Sequence, residues 1–269
     1  MKDHIVVQIV SYKTKRHLSD CVDSVMAGMK DSGITFKVLV LENGSGEDIA
    51  DLEARYENEP VAFYRSGKNL GFGAGHNLLA KKESGEYLFA LNPDTVVSKN
   101  AIKTLYDFME AHPEAGLCGP RVEEPIGFWW HKRTFWPKRF TLKSFFEKFL
   151  GATIWPNTTA LEFNPIAGSA LFFRRRAFDE IGGFDENLFL YFEEGDVCNS
   201  LKTKQWKIFF VYNAVITHFY YRSDIQPPNA KIFRESRAYF RKKWPQGFRS
   251  SGKSRVSQSE QVEKRMRKW

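Results

Sequence analysis

Tyr87 to Val97, YLFALNPDTVV, constrains this chain more than any other stretch, because a continuous apolar run stops abruptly on polar groups. Five of its first six side chains are apolar or aromatic, which marks a strand covered on both faces inside a parallel sheet. Pro93 has no N–H to give a sheet ladder and forces Asn92 to stay extended, so Asn92 and Asp94 are expected to project from the strand's carboxyl end. That edge is where ligands bind open α/β sheets. Asn-Pro-Asp is also an ordinary turn, with Asp94 free to cap a helix near Ser98, so the rest of the chain must decide between the two.

The same grammar recurs upstream. Ile5–Val10 ends on Ser11 and Tyr12 and is followed by a helix over Leu18–Lys30; Phe36–Leu41 ends on Glu42, Asn43, Gly44 and Ser45. Asp48–Tyr56 reads as a helix and Val61–Tyr64 as a third strand. GKNLGFGAGHN, residues 67–77, holds four glycines in 11 residues, lacks the Gly-Lys-Ser/Thr ending of a phosphate loop, and follows the third strand rather than the first. It reads as a loop feeding a helix that starts at Asn77, a terminus that favours an anion. Strands over Leu117–Val122 and helices over Asn77–Glu83 and Asn100–Ala111 complete four β/α units, the pattern of a nucleotide-binding half-domain.

The second half differs. Residues 128–155 interleave aromatics with Lys and Arg, a composition suited to a membrane interface, a sugar-stacking surface or single-stranded nucleic acid, and equally to a helix packing on its own core. After Ala167–Phe173 and the turn Gly182–Asp185 comes LFLYFEEGDVCNSL, which sets Glu193, Glu194 and Asp196 at the start of a helix. Acids are common at helix starts, but the preceding Phe189–Phe192 carries these inward, where a carboxylate can serve as a base. Trp206–Ile216 is a last strand that delivers Thr217 and His218, and His218 with a carboxylate makes a plausible pair of metal ligands.

Composition limits the alternatives. The 269 residues suffice for one large α/β domain with an appendage, and the longest amino-terminal apolar run is too short for a leader or a bilayer span. Three scattered cysteines show no zinc spacing and fit a reducing cytoplasm. The net charge of +8 is lopsided, since residues 229–269 carry 13 Lys and Arg against three Glu, which leaves about −2 for the rest. A basic arm touching something anionic follows, and a nucleic-acid face built into the fold does not.

VVQIVSYK, VLVLENGSGE, GKNLGFGAGHN, YLFALNPDTVV, AGSALFFRRRAFDEIGGFDENLFLYFEEGDVC and ITHFYYRS occur together in one order, over residues 4–223. In that order they resemble the inverting glycosyltransferases of family 2, and within them the bacterial rhamnosyltransferase-like branch. The resemblance implies an α/β chain of the GT-A fold, a Rossmann-like mixed central sheet flanked by helices, over residues 1–223, with a nucleotide-binding half (1–122), an acceptor and catalytic half (123–223) and a basic helical extension (224–269).

It further implies a divalent cation, Mg or Mn, held by Asp94 and His218, with Asn92 standing where many relatives have an acid. Glu194 takes the role of general base, with Glu193 and Asp196 shaping or orienting its pocket. Donor contacts fall on Ser11, Tyr12, Glu42, Asn69, Gly71, Asn77, Asn92, Gly168 and Ser169, while Asp185 takes a structural place in its turn. The expected partners are a dTDP- or UDP-linked sugar, dTDP-rhamnose first, and a lipid-linked glycan acceptor, with no nucleic acid. The expected location is the cytoplasmic face of the cell membrane, touched by the basic tail and the aromatic segment. A UDP-hexose transferase of the same fold, and a non-catalytic scaffold or nucleic-acid binder, are the rival expectations.

Overall fold

The computed structural model describes residues 3–123, 160–162, 166–219 and 230–247. The aromatic segment at 128–155 and the tail beyond 247 lie outside the described residues. β1 (Asp3–Ser11), β2 (Phe36–Glu42), β3 (Val61–Arg65) and β4 (Gly85–Leu91) run parallel in the order β3-β2-β1-β4. Every side chain from Val38 to Leu41 and from Tyr87 to Leu91 is buried, as unbroken apolar runs require of strands covered on both faces. α1 (Lys15–Met29) covers one face with Leu18, Cys21, Val22, Val25 and Met29, spaced three or four residues apart. α2 (Ala50–Arg55) and α4 (Ala101–Ala111) pack on the same side.

Beyond β4 the sheet becomes mixed. β6 (Ala115–Glu123), β8 (Ala170–Arg174) and β9 (Lys207–His218) continue it, β8 antiparallel to both β4 and β6, and β9 parallel to β6. β7 (Ala160–Glu162) and the short β5 (Thr95–Val97) both pair antiparallel with β9. Because β8 runs backwards, its first residues stand at the edge where β1, β2 and β4 end: Ala170 lies opposite Leu91. β9 runs forwards and brings His218 to that edge, opposite Thr95. Residues as distant in sequence as 11, 42, 92, 169 and 218 are thus gathered at one sheet margin by topology alone.

The glycine-rich stretch departs from its expected form. α3 spans Phe72–Ala80, so its helix begins five residues before Asn77. Gly71, with φ 84°, makes the turn into it. Gly73 and Gly75 sit inside the helix, where a Cβ would come within 2.8 Å of Phe184 Cβ and 2.9 Å of Val10 Cγ1 respectively. Two of the four glycines therefore allow close helix packing and are not part of an open loop. α5 (Arg175–Glu180) and α6 (Glu193–Thr203) flank the second half, and α7 (Ala230–Lys243) returns to dock on it. The basic extension packs on the domain through Phe233, Ser236 and Phe240 of α7 and Trp244 just past it, which are buried.

Candidate active site

At the end of β4, Asn92 N–H donates to Ser169 O (2.9 Å), which ties that strand end to the turn before β8. Asp94 Oδ1 lies 3.0 Å from His218 Nε2, and Asn92 Nδ2 lies 3.4 Å from the same nitrogen. The His218 and Asp94 side chains are only 8% and 16% exposed, so their contact is shielded from bulk water. Phe219 N–H donates to Asp94 O at 3.0 Å, extending the β5–β9 pairing by one bond and fixing the register that brings the two together.

The donor set suits a divalent cation. Two atoms bound side by side on an octahedral ion with bonds of about 2.1 Å stand about 3.0 Å apart, a separation that the hydrogen bond between His218 Nε2 and Asp94 Oδ1 already provides. Among the described residues no third His, Cys, Asp or Glu joins them. Were a cation held here, Asp94 and His218 would supply two ligands beside a neutral amide, leaving coordination positions for a ligand's oxygens.

Gly168 connects this corner to the carboxylates. A Cβ there would stand 3.6 Å from Glu194 Oε2, so the absent side chain leaves the Glu194 carboxylate facing the Gly168–Ser169 turn. Burial pushes Glu194 above the ordinary carboxylate range. Burial, with the neighbouring Glu194 charge, pushes Glu193 up to about 8, and among the described residues Glu193 Oε1 is buried without a hydrogen-bond partner, as is Ser169 Oγ. The backbone just before them is unusual. Tyr191 and Phe192 have φ 76° and 73°, a left-handed conformation that costs an L-residue roughly 1–2 kcal/mol. It turns the chain sharply into α6 and so aims both glutamates.

The neighbouring strand ends carry a different kind of polar structure. Ser11 lies opposite Glu42 in the β1–β2 register; its hydroxyl is 2.9 Å from Thr14 Oγ1, and Tyr12 beside it is 36% exposed. Glu42 is buried and its Oε1 accepts from Ser45 N–H (2.6 Å) and Ser45 Oγ (2.5 Å), closing the turn that follows β2. Asn69 Oδ1 accepts from Gly71 N–H at 2.9 Å. Asn43, given no role from sequence, is the staple of this corner: Nδ2 donates to Asn69 Oδ1 (3.2 Å) and Gly71 O (3.1 Å), and Oδ1 accepts from Leu70 N–H (3.0 Å). Its only signal was its place after Glu42.

Two expected site residues turn elsewhere. Asn77 is buried in mid-helix, where its amide donates to Phe184 O (2.8 Å) and Glu186 Oε1 (3.0 Å) and accepts from Phe184 N–H (2.9 Å); it anchors the Gly182–Asp185 turn. Asp196 Oδ1 accepts from Trp244 Nε1 (2.7 Å) and Lys243 Nζ (2.8 Å), which spends it on α7. Asp185 has the structural place expected of it, accepting from Asn187, Tyr239 and Lys243. Burial opposes its ionisation, but these donors outweigh burial and hold it down to about 2.

The sequence profile described as Glycosyl transferase family 2 matches residues 6–182. The chain is 27% identical to the N-acetylglucosaminyl-diphospho-decaprenol L-rhamnosyltransferase of Mycobacterium tuberculosis, over 86% of this chain and 81% of that one. It is 23% identical to a low-salt glycan biosynthesis hexosyltransferase of Haloferax volcanii, over 74% and 61% respectively. Among solved structures, GalNAc-T7 with UDP, GalNAc and Mn2+ superposes with a TM-score of 0.63 at 19% identity, over 81% of this chain and 44% of that one. The mannosyltransferase PcManGT of Pyrobaculum calidifontis, with GDP-Man and Mn2+, superposes at 0.60 and 13% identity, over 88% and 61%. S. aureus TarS 1–349 with UDP superposes at 0.57 and 15% identity, over 90% and 66%. These structures share the sheet and its flanking helices, and at such identities they speak to the fold alone.

Proposed function

Because the chain belongs to glycosyltransferase family 2 and has the GT-A fold, we propose that it transfers a sugar, rhamnose from dTDP-rhamnose first and a UDP-linked hexose second, to a lipid-linked glycan with inversion at the anomeric carbon. The convergence of Asn92, Asp94 and His218 at the strand margin carries this reading. The names of the mycobacterial and haloarchaeal relatives support the sugar and glycan classes.

Asp94 and His218 would hold a divalent cation, which when bound offsets negative charge growing on the departing diphosphate. Asn92 would present its amide to the same phosphates or to the ribose. Ser11, Tyr12 and Glu42 would line the nucleoside, over a floor fixed by Asn69, Gly71 and Asn43. Gly168 and Ser169 would border the sugar. Glu194 then accepts the acceptor hydroxyl's proton as that oxygen attacks the anomeric carbon and the sugar–phosphate bond breaks. Its raised pKa brings the carboxylate nearer to the working pH of a general base. A single displacement needs no covalent enzyme intermediate.

A lipid-linked acceptor calls for contact with a membrane surface. No helix among the described residues is long and apolar enough to cross one. Phe189 and Leu190 are each 37% exposed, and α7, which reaches Leu190 O through Ser236, carries the exposed Lys231, Arg234, Arg241 and Lys242, groups suited to an anionic leaflet. We place the protein at the cytoplasmic face on this reading.

Thermal shift with dTDP, UDP and GDP, each with and without Mn2+, tests the donor side, since a ligand that binds only the folded state raises its melting temperature. A cation-dependent rise with dTDP or UDP is expected, lost in Asp94→Ala. No rise with any of the three would overturn the reading, and oligonucleotide binding surviving Asp94→Ala would favour the nucleic-acid alternative.

A further inference from the structure

The family profile ends at residue 182, before the glutamates and well before α7. We propose that α7 is a positioning element for Glu194: it holds the left-handed turn and the first turn of α6 from both sides of that carboxylate. This rests on the reading of Glu194 as the base.

On the upstream side, Tyr191 and Phe192 form the only consecutive non-glycine pair with positive φ among the described residues. Rings of α7 pack against both: Phe233 lies 5.5 Å from Tyr191 and 5.2 Å from Phe192 between centroids, and Phe240 lies 5.4 Å from Phe192. Ser236 Oγ donates to Leu190 O at 2.8 Å. On the downstream side, Trp244 Nε1 and Lys243 Nζ both donate to Asp196 Oδ1, and Asn199 Nδ2 donates to Gly247 O at 3.0 Å. Lys243 also reaches Asp185 Oδ2 at 2.6 Å, with Tyr239 OH on the same oxygen at 2.8 Å, which fixes α7 to the Gly182–Asp185 turn.

Residues 190–192 and 196–199 are thus attached to α7 and to Trp244 and Gly247, which follow it, and Glu193 and Glu194 lie between the attachments. Neither Lys243 nor Trp244 touches Glu194, so both act through Asp196. A left-handed pair of bulky residues persists only where its surroundings over-determine it. Without α7's grip the turn relaxes toward ordinary backbone and the carboxylate moves. The same contacts explain why a basic segment folds back on the domain: its Lys243 pairs with Asp185 before α6 and with the buried Asp196 in the first turn of α6.

The test uses full-length Lys243→Met, Lys243→Arg, Trp244→Phe and the milder Ser236→Ala, with the wild type beside them. Misplacement by about 1 Å can cost on the order of a hundredfold in rate. Lys243→Met and Trp244→Phe are therefore expected to lower kcat by about tenfold or more, with donor KM and nucleoside diphosphate affinity unchanged. Lys243→Arg should restore kcat to within about threefold, since it keeps the charge.

Hydrogen exchange gives a readout independent of activity: amides of residues 188–204 should exchange about tenfold faster in Lys243→Met, Trp244→Phe and Ser236→Ala, while those of 36–45 and 85–91 stay as in the wild type. Unchanged exchange at 188–204, or faster exchange with unchanged kcat, overturns the proposal. A uniform rise across all peptides also overturns it, because α7 would then serve general stability. A wild type that binds nucleotide but transfers nothing to any acceptor counts against Glu194 as base, an outcome distinct from those that overturn α7's grip on the turn.

Discussion

Two corners of the same sheet margin are built on opposite principles. At the ends of β1 and β2, polar groups satisfy one another: Asn43 binds Asn69, Leu70 and Gly71, and Glu42 closes on Ser45. At the start of α6, Glu193 Oε1 and Ser169 Oγ are buried without hydrogen-bond partners among the described residues, two successive residues are left-handed, and support comes from α7. The first corner is a cradle whose polar groups are already satisfied, as the proposed nucleoside site would use it. The second keeps polar atoms and backbone in costly states, which is how a fold raises a carboxylate's proton affinity and aims it. A binding surface gains from completeness, whereas a proton-accepting surface gains from what is left unsatisfied.

Glu194→Gln tests this division most severely. Removing a general base costs typically 10²–10⁴ in rate, and an amide of the same shape leaves the cradle untouched. Turnover should fall within that range while dTDP or UDP affinity, measured by calorimetry, changes less than about twofold. A matching loss of nucleotide affinity would show that the two corners are one unit.

Gly71 is where the corners meet, since it opens α3 and packs against Phe189 in the turn before the glutamates. A Cβ there would fall 2.2 Å from Phe189 O, on a residue with φ 84°, so Gly71→Ala must displace one corner or the other. The expected loss is roughly 2–4 kcal/mol, from strain and broken packing together, read from urea melts. Asn43→Ala should cost less, about 1–3 kcal/mol, by leaving Leu70 N–H and Gly71 O without their partner. If Asn43→Ala proves the more damaging, the cradle and not the junction holds this margin together.

Glu193 separates the corners by pH. In the folded chain its pKa is raised by burial and by Glu194 from 4.5 to about 8. Between those values the folded state keeps a proton that the unfolded state has lost, so stability falls as pH rises, by at most about 1.4 kcal/mol per unit. Above about 8 the contribution is gone. Glu193→Gln removes that slope, and the variant should gain on the wild type steadily from pH 5 to pH 8 in urea melts. Parallel pH profiles would mean that Glu193 is ionised throughout, with a partner for its charge.

Much of this was legible in the chain. Apolar runs that stop on polar groups located β1, β2, β4 and β9 to within a few residues, and β2 and β4 most sharply, because strands covered on both faces read as near-continuous apolar runs. Asp94 and His218, 124 residues apart, were both singled out at strand ends, and the β5–β9 register is what brings them within 3.0 Å of each other. The start of α3 was misplaced because glycine is a poor helix former, and nothing local reveals that Gly73 and Gly75 make room for Phe184 and Val10. Asp196 was read as part of the catalytic pocket because its partner Trp244 stands 48 residues away, just past a basic helix whose Phe233 and Phe240 turned inward.

Asn92 offers the smallest and most discriminating change. His218 Nε2 lies near both the Asn92 amide nitrogen and the Asp94 carboxylate, and it cannot accept a proton from one while giving one to the other. One of the two contacts is always idle. Asn92→Asp places a second carboxylate there, where like charges destabilise one another unless a cation lies between them. Without Mn2+ the variant should melt slightly below the wild type, by about 1 kcal/mol or less. With Mn2+ that deficit should close, and the concentration giving half the thermal shift should drop about threefold to tenfold, since added ligand charge tightens divalent-ion sites. An unchanged Mn2+ midpoint would mean that residue 92 faces the nucleotide rather than the ion, and would assign Asn92 to the cradle.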